Sequence, residues 1–458
     1  MKFLVQYKVI GVLVLLLVIL SSCEKMLDVK TPANQIGKDK VFTDVQTANA
    51  ALAALYAGLR DNSLLSGDAL GPVLGVYTDD LDFYTTATPG GMMELYTNQL
   101  TAGNQVVHNQ WSTAYQLIYS CNAIIEGCDH PAAAGAEDMK TIKGEALLIR
   151  SILFYYLQQL YGDIPCPLST DYKINQSLSR MTSPHVLQLL ENQLSEASAL
   201  LQDAYRNPER IYLNKKAAQL MLARVYMLQQ RWTDAATLCE NIIGSDLYQI
   251  RNDVASTFKK SGNNIIWQLK PMSNGDATKE AIIYYFDFIP PYSYALSNDL
   301  MNSFSSSDLR KQHWTLPVTV DGTTWYRANK YKNLSDNLDE YAVVFRIEEV
   351  YLLLAEALGN QDKVALAAPF LNATRIRSNL PEIEMPMSKD DFLDEVLAEN
   401  RREFFTEMGH RFFDMKRMKK LHLLTATKPN WKLFHSEWPV PQKELLLNPN
   451  LKPQNNGY

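Results

Sequence analysis

The sequence predicts a mostly α-helical, all-α fold in which tetratricopeptide-like helical pairs form a frame and long irregular loop excursions carry a few short strands. Three observations support this prediction. Long amphipathic segments recur along the chain, two of them carry alanines where paired helices approach each other, and two long segments have no helical period.

The first half of the chain supplies several long helices. Four segments have apolar residues at helical spacing: 47–60, 105–128, 140–162 and 183–203. The third should end at Gly162, because Pro165 and Pro167 follow it closely. The fourth should begin with Ser183 as N-cap and Pro184 in the first helical position.

Two hairpins resemble tetratricopeptide repeats. In 214–248, Ala217, Ala218 and Ala223 allow close helix approach before a turn near Trp232. The segment 345–377 repeats this design around Gly359, and further pairs are expected within 105–203.

Two excursions separate the helical segments. Residues 63–104 and 250–343 are rich in turn-forming residues and aromatics, and 263–269 is predicted as a short strand. Loops of this length are usually functional or disordered, and the aromatic content argues against disorder.

The N-terminus predicts export. Residues 1–22 combine lysines with an apolar run of twelve, Val9 to Leu20, which is too short for a membrane span and fits a secretory signal peptide. The following LSSC sequence ends at Cys23, which we expect to be lipidated; an ordinary signal with a chance cysteine is the alternative. No second long apolar run follows, so a soluble chain tethered only by its lipid is predicted.

The bulk chemistry excludes several classes of function. The net charge is −6 without a basic face, so nucleic acid is not an expected partner. Common catalytic and nucleotide motifs are absent, and the seven histidines are scattered. We expect no metal and no cofactor; the chain could hold a structural calcium ion, but no EF-hand-like loop predicts one.

Four cysteines follow Cys23. They are predicted to be buried thiols: Cys121, Cys128, Cys166 and Cys239. On one helix, Cys121 and Cys128 would be about 10.5 Å apart, too far to form a disulfide, whereas a bridge to Cys166 stays open.

The most charged stretch is ENRREFFTEMGHRFFDMKR, residues 399–417. A helix should begin at Ser388, and Glu399, Glu403, Glu407 and Arg411 would then share one face. Acids placed four residues before an arginine pair with it, which favours a partly buried ion-pair network over acid–base catalysis. Gly409 should mark close backbone packing or a helix break.

This run resembles the signature of the SusD/RagB family. The matching residues are Arg401, Arg402, Glu407, Gly409, Arg411, Asp414 and Arg417. Four further stretches resemble the family in the same order: 27–59, 145–168, 346–358 and 438–458.

The resemblance implies a fold and a role. It implies a helical fold with ligand-binding loops on one face, in which regions 23–250 and 251–458 form one compact unit. It also implies a non-enzymatic lipoprotein of the Bacteroidetes outer membrane, facing the exterior. Such a protein covers a SusC-like TonB-dependent barrel and captures oligosaccharides, or sometimes peptides, for import. The signature charges would hold the fold.

Sugar-binding residues are expected in the two excursions, where aromatic rings lie beside polar groups. The candidates in the first excursion are Tyr77, Asp79, Asp80, Phe83 and Tyr84. Those in the second are Tyr292, Tyr294, Trp314, Trp325, Tyr326 and Arg327. The alternative for each ring is half-buried packing, which is the interpretation for Trp111 and Trp232 in helical patterns.

Two other functions compete with import. A surface glycosidase of an all-helical class would need two carboxylates, such as Asp79 or Asp80 with Asp299. A tetratricopeptide scaffold that binds only protein would use its concave helical surfaces rather than its loops.

Overall fold

A computed structural model describes residues 42–85, 91–129 and 135–458. The predicted signal peptide, 1–22, and the predicted lipidation site, Cys23, lie outside these ranges. The fold is mostly helical with a few short strands, which confirms the predicted fold class. Within the described ranges, no helix is both long and apolar enough to cross a membrane.

The helices of the first half form the longest part of the frame. They are α1 Val45–Asp61, α2 Leu70–Tyr77, α3 Met92–Tyr96, α4 Gln105–Cys128, α5 Ala136–Tyr161, α6 Tyr172–Asn175, α7 Ser183–Leu200, α8 Lys215–Leu228 and α9 Trp232–Ile243. The long helices pack in chain order, α4 on α5, α5 on α7, α7 on α8 and α8 on α9. Neighbouring antiparallel helices therefore bury each other's apolar stripe.

The second half continues this stack after a region of strands and short helices. Its helices are α10 Lys279–Ile283, α11 Asn298–Asn302, α12 Leu309–Trp314, α13 Ile347–Asn360, α14 Val364–Arg377, α15 Lys389–Phe404, α16 His410–Arg417 and α17 Gln442–Leu447. Helix α13 packs on α9, pairs with α14 and contacts α15. The predicted hairpins are thus α8–α9 and α13–α14.

Helix ends follow their local sequence. Ser388 is the N-cap of α15 and accepts a hydrogen bond from the Asp391 backbone N–H at 3.2 Å. Helix α5 ends before Gly162, whose φ of +73° favours glycine. Helix α7 has Thr182 as its N-cap, so the predicted cap, Ser183, is one residue too late.

The strands come from both excursions. They are β1 Leu81–Phe83, β2 Ile265–Leu269, β3 Tyr294–Leu296, β4 Thr315–Val320, β5 Thr323–Ala328 and β6 Ala342–Arg346. One sheet has the order β1-β3-β5-β4, and β2 pairs with β6. All named pairs are antiparallel. The first sheet therefore brings residues near 82, 295 and 326 together.

The core contains the cysteines and one of the two helical tryptophans. Cys121, Cys166 and Cys239 are buried, Cys128 is half-buried, and all four are free thiols. Burial raises the pKa of Cys121 to about 12, so it is an unreactive thiol. Trp111 is buried as predicted, and Trp232 is half-buried against the core.

Candidate functional site

The charged run 399–417 forms two helices rather than one. Helix α15 ends at Phe404 and α16 begins at His410, after Gly409 with φ +72°. The prediction that Glu407 and Arg411 share one helical face is therefore wrong, because the turn lies between them. Gly409 marks both a helix break and close packing, since a Cβ there would lie 2.2 Å from Leu74 Cδ1.

The three glutamates of the run lie in a buried ion-pair cluster. Arg310 Nη1 contacts Glu399 at 2.7 Å and Glu403 at 2.9 Å. Arg346 contacts Glu403 at 2.5 Å and Glu407 at 2.8 Å. Two further cations complete the buried ion-pair cluster: Arg377, on Glu403, and Lys330, on Glu407. The glutamates thus pair with cations from distant segments and, for Glu399, with Arg402 of their own run, rather than with Arg411.

These carboxylates are ionised at neutral pH. Burial raises the pKa of Glu399, but the Arg310 and Arg402 guanidinium groups outweigh it and lower that pKa to about 2. Burial also raises the pKa of Glu403, but the neighbouring arginines outweigh burial and lower that pKa. A general acid needs a raised pKa, so these two groups have the electrostatics of structural anions.

Two arginines of the signature bind buried carboxylates of the first excursion. Arg411 Nε and Nη2 donate to the Asp79 carboxylate at 2.8 and 2.9 Å, and Arg401 Nε donates to Asp80 at 2.9 Å. Arg401 also contacts Asp299 at 2.7 Å. The prediction that Asp79 and Asp80 bind ligand is wrong, because both are buried and occupied by arginine.

The remaining signature residues join neighbouring helices. Arg417 contacts Glu356 of α13 at 2.7 Å and Asp414 at 2.8 Å. Arg402 contacts Glu399 at 3.1 Å, and Glu395 at 2.9 Å. The signature side chains therefore tie α15 and α16 to α13 and to the first excursion.

Three predicted ligand-binding rings are buried instead. Tyr77 donates from its hydroxyl to the His435 carbonyl at 2.9 Å, and Phe83 packs on Tyr294 with ring centroids 5.5 Å apart. Trp314 donates from Nε1 to the Val254 carbonyl at 2.9 Å. These predictions are wrong, because the polar sequence around the rings folds over them and leaves no face for a ligand.

The outward face of the four-stranded sheet presents the remaining candidates. On β5, Trp325 packs with Val318 and Phe286 in a small apolar cluster, separate from the main core. Tyr326, its neighbour, contacts the main core, as does Tyr294 of β3. Because strand residues alternate between faces, Arg327 lies on the Trp325 side.

Exposed aromatics of both excursions lie on this face or in the loop that leads into β3. Tyr84 is 41% exposed, and its backbone N–H donates to the Ser293 carbonyl at 3.0 Å. In the loop before β3, Phe288 is 87% exposed and Tyr292 is 77% exposed. The Arg327 guanidinium carbon lies 4.6 Å from the Tyr285 ring centroid. We call this surface the aromatic face: Tyr84, Tyr285, Phe288, Tyr292 and Trp325, with Asp82 and Arg327.

Polar groups are fixed beside these rings. Arg327 Nη1 donates to the Phe286 carbonyl at 2.9 Å, which leaves other guanidinium N–H groups for a ligand. Asp82 accepts from the Tyr96 hydroxyl at 3.2 Å. Burial and the nearby Asp82 charge raise the pKa of Tyr84, and a hydrogen bond from Trp325 offsets part of that rise, so Tyr84 stays a neutral hydroxyl.

The sequence predicted part of this surface. Tyr84, Tyr292, Trp325 and Arg327 belong to it, whereas Asp82 and Phe288 were missed. The available signal was an aromatic residue directly before Ile-Pro-Pro, because such a turn has little core to bury it. Over 42–85, 91–129 and 135–458, no three His, Cys, Asp or Glu side chains are grouped to hold a metal ion.

Two family profiles and several curated proteins match this chain. A family profile described as starch-binding and associating with the outer membrane matches residues 25–227, and the SusD family profile matches 312–437. SusD-like protein P25 of Formosa agariphila is 22% identical, over 95% of this chain and 97% of that protein.

Solved structures share the fold. A SusD superfamily protein from Bacteroides vulgatus has a TM-score of 0.78 at 17% identity, covering 91% of this chain and 100% of that one. Surface glycan-binding protein A from Bacteroides thetaiotaomicron, solved with laminarihexaose, has a TM-score of 0.76 at 17% identity, covering 90% and 99%.

Proposed function

The chain belongs to the SusD/RagB family, and we propose that it captures oligosaccharides at the cell surface and delivers them to a SusC-like TonB-dependent barrel for nutrient uptake. Family membership rests on profiles that together match most of the chain. The aromatic face is the feature that supports capture of a sugar.

The aromatic face carries the proposal. A sugar ring has a C–H face that packs on an aromatic ring and hydroxyls that need hydrogen-bond partners. Trp325 and Tyr84 supply adjacent rings, and Arg327 and Asp82 supply a donor and an acceptor beside them. Exposed aromatics with nearby polar groups are typical of a recognition surface rather than of ordinary packing.

Binding without cleavage is the second part of the proposal. The carboxylates that sequence offered as a glycosidase pair, Asp79 or Asp80 with Asp299, are all held by Arg401. Asp79 and Asp80 are also buried, so a glycosidic bond cannot reach them. We therefore assign the chain a binding role.

Family membership supports the attachment and the partner that we propose. The matched profile describes association with the outer membrane, which is consistent with lipidation at Cys23 and display toward the exterior. A binding protein needs a transport protein to bring its sugar across that membrane. A SusC-like barrel is the partner we propose.

The test is binding by calorimetry to neutral oligosaccharides that include laminarihexaose. Replacing both rings, Trp325→Ala with Tyr84→Ala, should weaken binding roughly tenfold or more, about 1.4 kcal/mol. The control, Leu366→Ala, removes a side chain 63% exposed on α14 and should leave affinity unchanged.

Two outcomes would change the assignment. Unaltered glycan affinity in the double variant would remove the aromatic face from the site. If the protein binds peptides but no glycan, the result would instead support peptide capture by the same type of complex.

A further inference from the structure

A second concave surface lies away from the aromatic face. It is a groove of about 860 Å³ between α4, the segment 165–178 and the C-terminal α17. None of its lining residues belongs to the aromatic face. Surface clefts of several hundred Å³ that combine apolar walls with a few polar groups are the usual form of ligand sites.

One wall of the groove is a row of rings on α4. Trp111, Tyr115 and Tyr119 are four residues apart, so they share one face of the helix. Trp111 packs against Tyr115 at 4.9 Å between centroids, and the Tyr115 hydroxyl donates to the Pro165 carbonyl at 2.7 Å. Tyr119 is 53% exposed. The row is therefore rigid at one end and open at the other.

The remaining lining is rich in neutral polar groups. Five amides contribute: Gln116, Asn122, Asn175, Gln176 and Asn448. Asn175 Nδ2 donates to the Ser169 carbonyl at 2.7 Å. Its Oδ1 is buried and accepts no hydrogen bond from the part of the chain that the structure describes. A buried amide oxygen without a donor is costly, so this wall of the groove lacks one hydrogen-bond donor.

We infer that this groove is a second binding site for a neutral oligosaccharide of several sugar units, an inference that rests on the proposed function. Tyr115 and Tyr119, the two accessible rings of the row, would stack on the C–H faces of sugars. The exposed amides of Gln116 and Gln176 would donate to and accept from the sugar hydroxyls. Glu444 is the one charged side chain among the lining residues of the described chain. A lone carboxylate disfavours acidic glycans and leaves neutral ones as the matching class.

The experiment isolates the groove from the aromatic face. In a Trp325→Ala/Tyr84→Ala background, we measure binding of a neutral oligosaccharide that the unaltered protein retains. The groove should still bind it. Adding Tyr119→Ala with Gln116→Leu should then lower the remaining affinity roughly tenfold or more. Both side chains are exposed on α4, so the fold should tolerate the changes.

The outcomes separate the two claims. The inference is overturned if the background variant binds no glycan, or if its remaining binding is the same with and without Tyr119→Ala. A Leu366→Ala control in the same background should bind as the background does. If the unaltered protein binds no glycan at all, the proposed function fails together with the inference. Glycan-independent binding of apolar peptides through Tyr119 would overturn the sugar assignment of the groove.

Discussion

Glu403 offers the sharpest test of what the charged run does. Its carboxylate is fully buried on α15 and is shared by Arg310 at 2.9 Å, Arg346 at 2.5 Å, and Arg377. Glu403→Gln keeps the shape of the side chain but removes the charge. Three buried guanidinium groups would then lose their common anion.

The cost can be estimated from this geometry. Removing one partner of a buried ion pair destabilises a protein by about 3–5 kcal/mol, because a charge is left uncompensated. At about 2.1 cal/mol/K per residue, the unfolding entropy of 458 residues is roughly 1 kcal/mol/K. The melting temperature should therefore fall by about 3–5 °C.

The assay is thermal unfolding at pH 7 followed by circular dichroism, with Glu395→Gln as the matched control. Glu395 lies on the same helix and pairs with Arg375 and Arg402, but its side chain is 31% exposed. Solvent-exposed ion pairs contribute less than about 1 kcal/mol, so the control should shift by about 1 °C or less. Equal small shifts in both variants would refute the structural role of the buried ion-pair cluster.

Further predictions concern a buried acid and the turn before α16. Burial raises the pKa of Glu280 from the ordinary 4.5 of a glutamate to about 7, so the free energy of unfolding falls as the pH rises between these two values. Glu280→Gln should reduce the loss of stability between pH 5 and pH 8 by roughly 3 kcal/mol, measured by urea unfolding. Parallel pH profiles for the variant and the unaltered protein would contradict this. Gly409→Ala should destabilise the fold by about 2–4 kcal/mol, because φ is positive there and the new Cβ would clash with Leu74. The control, Gly322→Ala, is also at positive φ but has open space around it, and should cost about 1–2 kcal/mol. Equal melting temperatures for the two variants would refute the clash.

The sequence was sufficient for elements whose information is local. The hairpins α8–α9 and α13–α14 were predictable because small residues recur at helical spacing. The end of α5 at Gly162 and the start of α15 at Ser388 were predictable because capping depends on a few adjacent residues.

Long-range pairing explains what the sequence missed. Asp79 and Asp80 looked like exposed ligand groups, but their partners Arg401 and Arg411 are more than three hundred residues away. Trp314 looked exposed because its neighbours are polar, yet it donates to Val254 inside the fold. Nothing local to either segment reports these contacts.

The two candidate binding surfaces show the same limit. Trp325 could be proposed from its polar surroundings, but its position beside Tyr84 depends on the order of strands in the sheet. The ring row of Trp111 and Tyr119 is visible as a helical period, whereas its opposite wall comes from Leu451 and other distant residues.

The most direct test of glycan capture is affinity electrophoresis of the chain from Glu24 onward in a panel of soluble polysaccharides, with reducing ends assayed in parallel. We expect retardation by at least one neutral polysaccharide, weaker retardation when the rings of the aromatic face are replaced, and no new reducing ends. Retardation by none of the polysaccharides would contradict capture, and release of reducing ends would contradict binding without cleavage.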